Sequence, residues 1–248
     1  MDVAVRERDF ARVAGPDAAD YLQRMVSNDV EALAAGDACP ALLLNAKARV
    51  IAPLVVLRRA DDDFLLLTEP GLGEVVRGHL TRMRLRASCE IEPEQHESVL
   101  VFGGDTGFAT DWPGAHEALD AGLEPTLAEE ELEVRRIESG VPRWEHEIDD
   151  RILPAEAGLD ETHVSFSKGC YPGQEPVARL HYRGHPNRRL RRLVVASASP
   201  GDEITYEGKA VGRVTSAAQR ADGSVVGLAY VRTEVPDDAP LALAARAG

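Results

Sequence analysis

Cysteine, lysine and long apolar runs are all scarce in this 248-residue chain. The three cysteines, Cys39, Cys89 and Cys170, are odd in number and far apart, which argues against a disulfide framework. None belongs to a C-x-x-C pair, so a self-contained zinc or iron–sulfur site is not expected. No apolar stretch approaches the roughly 18 residues that a membrane-crossing helix requires. Met1 to Phe10 alternate charge with small apolar residues and lack the apolar block of a signal peptide. The expectation is a soluble, cytoplasmic protein with no membrane partner. Lysine occurs only at Lys47, Lys168 and Lys209, and the net charge is −14. Such a polyanion is not built to coat nucleic acid or anionic lipid.

What is present is a 44% hydrophobic composition, enough for a sizeable core in one large domain or a few small ones. Ala18, Tyr21, Leu22, Met25 and Val26 follow the spacing of one helical face after Gly15-Pro16. Strand-like runs cover 41–44, 50–57 and 64–67, with Asp61-Asp62-Asp63 turning the last pair. A helix is predicted over 73–85, with Val75, Val76, Leu80 and Met83 on one side. Ser98 to Phe102 reads as a strand. Thr126 and Glu129 read as a capping box for a helix that Gly140 and Pro142 end near Ser139. From Arg143 to Glu175 the chain is rich in turns and charge. Short strands follow over 190–196, 203–206, 210–216 and 224–231, separated by glycine turns, and suggest a small all-β barrel or sandwich. Strands and helices interleave in an α+β pattern.

The densest chemical signal is Lys168-Gly169-Cys170-Tyr171-Pro172-Gly173-Gln174-Glu175. A thiol sits between two glycines, and Pro172-Gly173 marks a surface turn. Lys168 would favour the thiolate, the nucleophilic and metal-binding form. From the residues alone, Cys170 is a structural residue or a nucleophile. No base is identifiable for the second; His163 and His181 are nearest in sequence. His181 and His185 imitate a metal-ligand spacing, but the ligand set is incomplete and no metal is expected. Arg179, Arg183, Arg188, Arg189, Arg191 and Arg192 form a basic island with no acidic residue between Pro176 and Gly201. It reads as an anion site, for carboxylates or an RNA phosphate, or as a solvated face pairing with surplus carboxylates.

In order along the chain, Gly15-Pro16-Asp17, Val26-Ser27-Asn28-Asp29-Val30, Arg136-Ile137-Glu138-Ser139-Gly140-Val141-Pro142, Leu153-Pro154-Ala155-Glu156 and the Lys168–Glu175 block resemble the YgfZ/GcvT superfamily. These are folate-binding proteins related to the T-protein of the glycine cleavage system. The last block resembles the YgfZ-like branch; T-proteins lack its cysteine. The resemblance implies a three-lobed α+β architecture with ferredoxin-like lobes and a C-terminal β-barrel. Residues 1–40 with 126–186 would form a first folate-binding lobe, 41–125 a ferredoxin-like middle lobe, and 187–248 the barrel.

The resemblance also implies tetrahydrofolate or a derivative in a central opening. Glu138 would pair with the amino group and ring N–H of the pterin, a bidentate acceptor role that suits a carboxylate. Lys168 and Arg179 would meet the glutamate tail, with Tyr171, Gln174 and Asn28 as further pocket residues and Asn45 and Lys47 as weaker candidates. Cys170 would be the essential reactive group of a factor that supports iron–sulfur assembly or repair in client proteins. Nucleic acid is not an expected partner, tRNA excepted. T-proteins carry an acidic residue in the strand that corresponds to Arg49 to Leu54; Ala52 and Pro53 stand there. A positioned carboxylate contributes about 10²–10⁴-fold to proton transfer, so its loss counts against an aminomethyltransferase. The tyrosine near the T-protein C-terminus also has no counterpart from Leu241 to Gly248. A folate-dependent one-carbon transferase or demethylase and a non-catalytic RNA- or protein-binding module are the other readings.

Overall fold

The structure is a computed structural model and describes residues 1–243. The last five positions of the expected third lobe, and with them most of the segment from Leu241 to Gly248, lie outside the described residues.

The elements are β1 (Asp2–Val5), β2 (Asp9–Ala14), α1 (Ala18–Met25), β3 (Ala38–Leu44), β4 (Val50–Ala60), β5 (Asp63–Thr68), α2 (Gly73–Met83), β6 (Glu90–Glu94), β7 (Ser98–Phe102), β8 (Phe108–Ala109), β9 (Ala115–Leu119), α3 (Glu129–Ser139), α4 (Gln174–Arg183), β10 (Arg188–Val195), β11 (Glu203–Tyr206), β12 (Lys209–Gln219), β13 (Val225–Arg232) and β14 (Ala242–Leu243). They make three sheets, ordered β3-β4-β5-β2-β6, β1-β7-β9-β8 and β10-β13-β12-β11-β14.

The first sheet carries the largest core. Its strands contribute Ala11, Val13, Leu43, Leu54, Val56, Phe64 and Leu66, against which α1 sets Tyr21, Leu22 and Met25, and α2 sets Val76 and Leu80. Each fully buried leucine contributes on the order of 1.5–3 kcal/mol. The Tyr21 hydroxyl is buried with its partner, donating to the Leu80 carbonyl at 2.6 Å, so the two helices are tied across the sheet. Val75 and Met83 do not share the buried face of α2; they are 46% and 42% exposed. Val75, next to Val76, is turned about 100° from that face; Met83 shares the angle of Val76 and Leu80 but is the last residue of the helix.

Three further expectations change. The C-terminal lobe is an open five-stranded antiparallel sheet, not a barrel: among the described residues β10 pairs only β13, and β14 pairs only β11, so the two edges do not meet. The sheet of the expected ferredoxin-like middle lobe is open and antiparallel with α1 and α2 packed on it, which does not depart from that expectation. The boundary at 40/41 falls inside β3, and β2 pairs with both β5 and β6, so 1–40 and 41–125 share one sheet. Thr126 is no cap of α3. Its hydroxyl accepts the Val3 amide at 2.9 Å, while Glu131 reaches back to the Ala128 amide at 3.4 Å. The stop at Ser139 is as expected, with Gly140 left-handed at φ 71°.

Candidate functional site

The segment 168–175 packs on the turn between β3 and β4. Gly173 has φ 82°, and a Cβ there would meet the Asn45 carbonyl oxygen at 2.6 Å, so only glycine lets the two backbones approach. Asn45 shapes its own turn by accepting the Lys47 and Arg49 amides on Oδ1 at 2.8 and 3.1 Å. Tyr171 is buried among Leu42, Leu44, Ala48, Val50 and Val177, and burial pushes its phenol up to about 12. Helix α4 starts at once after Gly173, with Pro176 in its first turn, where a missing N–H costs nothing.

Lys168 is buried. Its ammonium donates to the carbonyls of Val26 and Asn28, both at 2.7 Å, and lies 5.4 Å from the Tyr171 ring centre. Burial brings the amine down to about 8; Asp29 and Cys39 oppose that fall. The Asn28 side chain is engaged too, donating to the Pro40 carbonyl at 2.7 Å and capping the Asp29 amide on Oδ1 at 2.9 Å. The lysine thus braces the Ser27-Asn28-Asp29 turn. Cys170, two residues on, is an exposed free thiol. Tyr171, Gln174 and Arg179 line a cavity of about 390 Å³ with Ala46, Gly173 and Pro176. The structure therefore gathers Asn28, Lys168, Cys170, Tyr171, Gln174 and Arg179 around the 168–175 segment.

Glu138 is elsewhere. Near the end of α3, it accepts the Arg220 Nε at 2.7 Å, and its backbone carbonyl accepts Arg192. His181 stacks on Phe166 at 3.9 Å between ring centres, and no group of metal-ligating side chains forms among the described residues. The arginine island divides. Arg179 and Arg183 lie on α4. Arg188 is held by Glu156 at 3.1 Å, and Arg191 by the carbonyls of Pro236 and Asp237.

A second cavity, of about 1110 Å³, opens where the three sheets face one another. Its walls come from the β1–β2 connection (Arg6, Glu7), the end of β5 (Glu69), the loop before β9 (Trp112), α3 and the segment after it (Glu133, Arg136, Arg143), and β12 (Ala217 to Gln219). Two charge networks brace it, and sequence reasoning missed both. In one, Arg8 forks onto the fully buried Glu117 at 3.0 and 2.9 Å and also reaches Asp111 at 3.0 Å, while Ser98 and Thr110 donate to the same Glu117 carboxylate. Burial works to raise the Asp111 and Glu117 carboxyls, but the arginines hold both below the usual range. Burial also pushes His163, beside this cluster, down to about 4. In the other, Arg136 forks onto Glu133 at 2.8 and 2.9 Å and reaches Glu147 at 3.0 Å and Ser216 at 2.7 Å, docking α3 on the third sheet. The one visible sequence signal was the alternation of Arg6 and Arg8, which is the period of an extended strand.

Comparison with known proteins places this geometry. Residues 5–103 match the family model for the GCVT N-terminal domain. An iron–sulfur cluster assembly factor IBA57 homolog, mitochondrial, from Pyricularia oryzae is 28% identical over 96% of this chain and 73% of its own length. A tRNA-modifying protein YgfZ from Edwardsiella ictaluri is 27% identical over 92% of this chain and 83% of its own length. The crystal structure of the glycine cleavage system aminomethyltransferase T from Bartonella henselae superposes with a TM-score of 0.82 over 97% of this chain and 81% of that one, at 17% identity. With the motifs in order along the chain and the three-sheet fold shared, these similarities support the YgfZ/GcvT superfamily.

Proposed function

We propose that this protein is a tetrahydrofolate-binding factor that supports iron–sulfur cluster assembly or repair in client proteins, with Cys170 as its reactive group. The observation that carries the reading is an accessible thiol in a rigid setting. Cys170 is exposed, while its neighbours Lys168 and Tyr171 are buried and fixed. A thiol that must meet a partner protein has to be reachable and held in place. The strand that would need a carboxylate for aminomethyl transfer has none: Ala52 is fully buried in the core, and the Pro53 carbonyl accepts the Thr68 hydroxyl at 2.8 Å. The homologous assembly factors agree with a role in cluster maturation.

The folate belongs in the larger cavity. Its volume suits a drug-sized ligand, and Leu127, Leu132, Val141 and Pro142 offer apolar wall to a ring. Bound there, the folate would supply a carrier for one-carbon groups. The test is complementation of a strain lacking its own family member. Cys170→Ala is expected to fail and the wild type to rescue; full rescue by the variant removes the role given to the thiol. Titration with tetrahydrofolate checks the ligand separately.

One observation favours transfer chemistry instead. Thr68 pairs with Leu54 across β4 and β5, so the next residue, Glu69, sits beside Pro53 and lines the cavity. It puts a carboxylate one strand away from the expected place. Glycine cleavage with a lipoyl carrier protein, abolished by Glu69→Gln, would establish that reading.

A further inference from the structure

Seven large apolar side chains are exposed among the described residues, and three of them, Val75, Met83 and Leu85, fall within eleven positions on and just past α2. Val75, His79 and Met83 recur every fourth residue and so make one ridge on the helix surface. Burial and the neighbouring Arg82 lower the His79 pKa from its ordinary 6.5, so the ring joins the ridge uncharged at neutral pH. Beside it runs the row of Glu74, Gly78 and Arg82, and the missing side chain of Gly78 leaves the groove between the two rows open. Leu85, the residue after the helix cap, is 88% exposed.

Two of these residues are not what the fold alone would favour. Glycine inside a helix weakens it. Gly78 has no use for its freedom: it lacks a positive φ, and a Cβ there would meet nothing within 4 Å. Leu85 is the reverse case. With φ 50° it holds the left-handed position that ends many helices, where glycine is usual and a side chain is strained. The chain leaves a gap where a side chain would fit and sets a bare leucine where glycine would serve. Both departures suit a surface that another body packs against.

The charge of the surface decides what kind of body. From Val75 to Cys89 there are four arginines, Arg77, Arg82, Arg84 and Arg86, and no carboxylate, in a chain of net charge −14. Arg84 donates to the Cys89 carbonyl at 2.8 Å, whereas Arg77, Arg82 and Arg86 have no salt bridge among the described residues. Arg82 and Arg86 are exposed. We infer that the outer face of α2 docks an acidic amphipathic helix of a partner protein, an apolar side chain of which enters the groove over Gly78 while its carboxylates meet Arg82 and Arg86. A second copy of this chain laid on the same face would oppose arginine with arginine. A nucleic acid finds no Phe, Tyr or Trp between Glu69 and Val101 on which to stack a base. None of Val75, Gly78, Arg82, Met83, Leu85 and Arg86 lines either cavity described above, so the surface goes beyond the folate and thiol readings and does not depend on them.

The experiment titrates the full chain with a fluorescent helical peptide of about 18 residues, leucine on one face and glutamate elsewhere. The same peptide with lysine for glutamate, and vesicles of phosphatidylcholine with phosphatidylglycerol, are the comparisons. Wild type is set against Gly78→Gln, which fills the groove with a better helix former, Leu85→Gly and Arg82→Glu. The glutamate peptide is expected to bind wild type and each variant to weaken it about tenfold. The melting temperatures of Gly78→Gln and Leu85→Gly are expected to stay level or rise, which a purely structural role would not allow. The docking surface is overturned if the glutamate peptide does not bind, if the lysine peptide or the vesicles bind as well, if sedimentation shows a dimer that Leu85→Gly disperses, or if both of those variants melt lower. A second readout needs no peptide. In the complementation assay Leu85→Gly is expected to lose rescue while its tetrahydrofolate binding and Cys170 labelling match wild type; full rescue overturns the surface. Failure of the wild type to rescue removes the assembly reading alone, and the peptide titration still decides this one.

Discussion

The Lys168 ammonium lies 2.7 Å from the Asn28 carbonyl oxygen and 2.7 Å from that of Val26, so the loop carrying Cys170 is pinned to a turn 140 residues earlier. Lys168→Met removes both bonds and leaves two carbonyls short of a donor. The expected loss is about 1–3 kcal/mol in urea unfolding. The pH dependence identifies the group. Burial holds its folded pKa at about 8, below the ordinary lysine value of 10.5, so between these values the unfolded chain binds more protons and stability rises with pH. The gap between wild type and variant should therefore widen from pH 8 to 10.5.

Thiol reactivity should follow exposure. Cys170 is exposed, Cys89 is buried, and Cys39 is half-buried with its thiol pushed up by burial to about 12. Burial raises Cys89 as well. Brief iodoacetamide treatment of the native protein should label Cys170 alone, as peptide mass mapping would show. Cys170→Ala should change stability by no more than about 0.5 kcal/mol, so a loss of function in that variant would not be a folding defect.

Glu117 depends on Arg8. Both are buried, and Arg8→Met would strand a carboxylate that no water reaches; the expected cost is about 3–5 kcal/mol. The double replacement Arg8→Met with Glu117→Gln should recover part of it. Denaturant midpoints of the single and double variants measure the difference, and equal losses in both would show that the pair is not the unit.

His163 sets an acid limit. Burial lowers its folded pKa from 6.5 to about 4. Above pH 6.5 both states are neutral and the full stability is present. As pH falls from 6.5 towards 4 the unfolded chain takes a proton that the native state refuses, and stability declines by on the order of 2–3 kcal/mol. Histidine proton resonances should show His163 neutral at pH 5, and His163→Gln should flatten the stability profile in that window.

The parts legible in sequence were those with a local period. Strand 203–206 was placed at its exact ends because glycine turns bracket it, and 98–102 likewise. Helix α4 was hidden, because Pro172-Gly173 and Pro176 read as turn, although a proline in the first helical turn is tolerated. β1, only four residues long with a single charge at Asp2, carries too short a pattern to stand out. The exposure of Cys170 follows the turn chemistry around it. The cavity was not legible at all. Arg6, Trp112 and Arg143 are each ordinary in their own neighbourhood and become a set only when three sheets face one another. The opposite case is Glu138, singled out by motif and found bonded to Arg220 through a contact 82 residues away.

The arginines of β10 also act on a different scale. Among the described residues β10 is the last strand on its side of the third sheet, which leaves one edge of its backbone without a neighbouring strand. Such an edge invites another chain to dock and extend the ladder, and charged residues along it discourage this. Arg188, Arg189, Arg191 and Arg192 stand along that margin. Two copies approaching margin to margin would oppose guanidinium with guanidinium. The same residues that read as an anion-binding island thus keep an open sheet from polymerising, a protection that a closed barrel would not have needed.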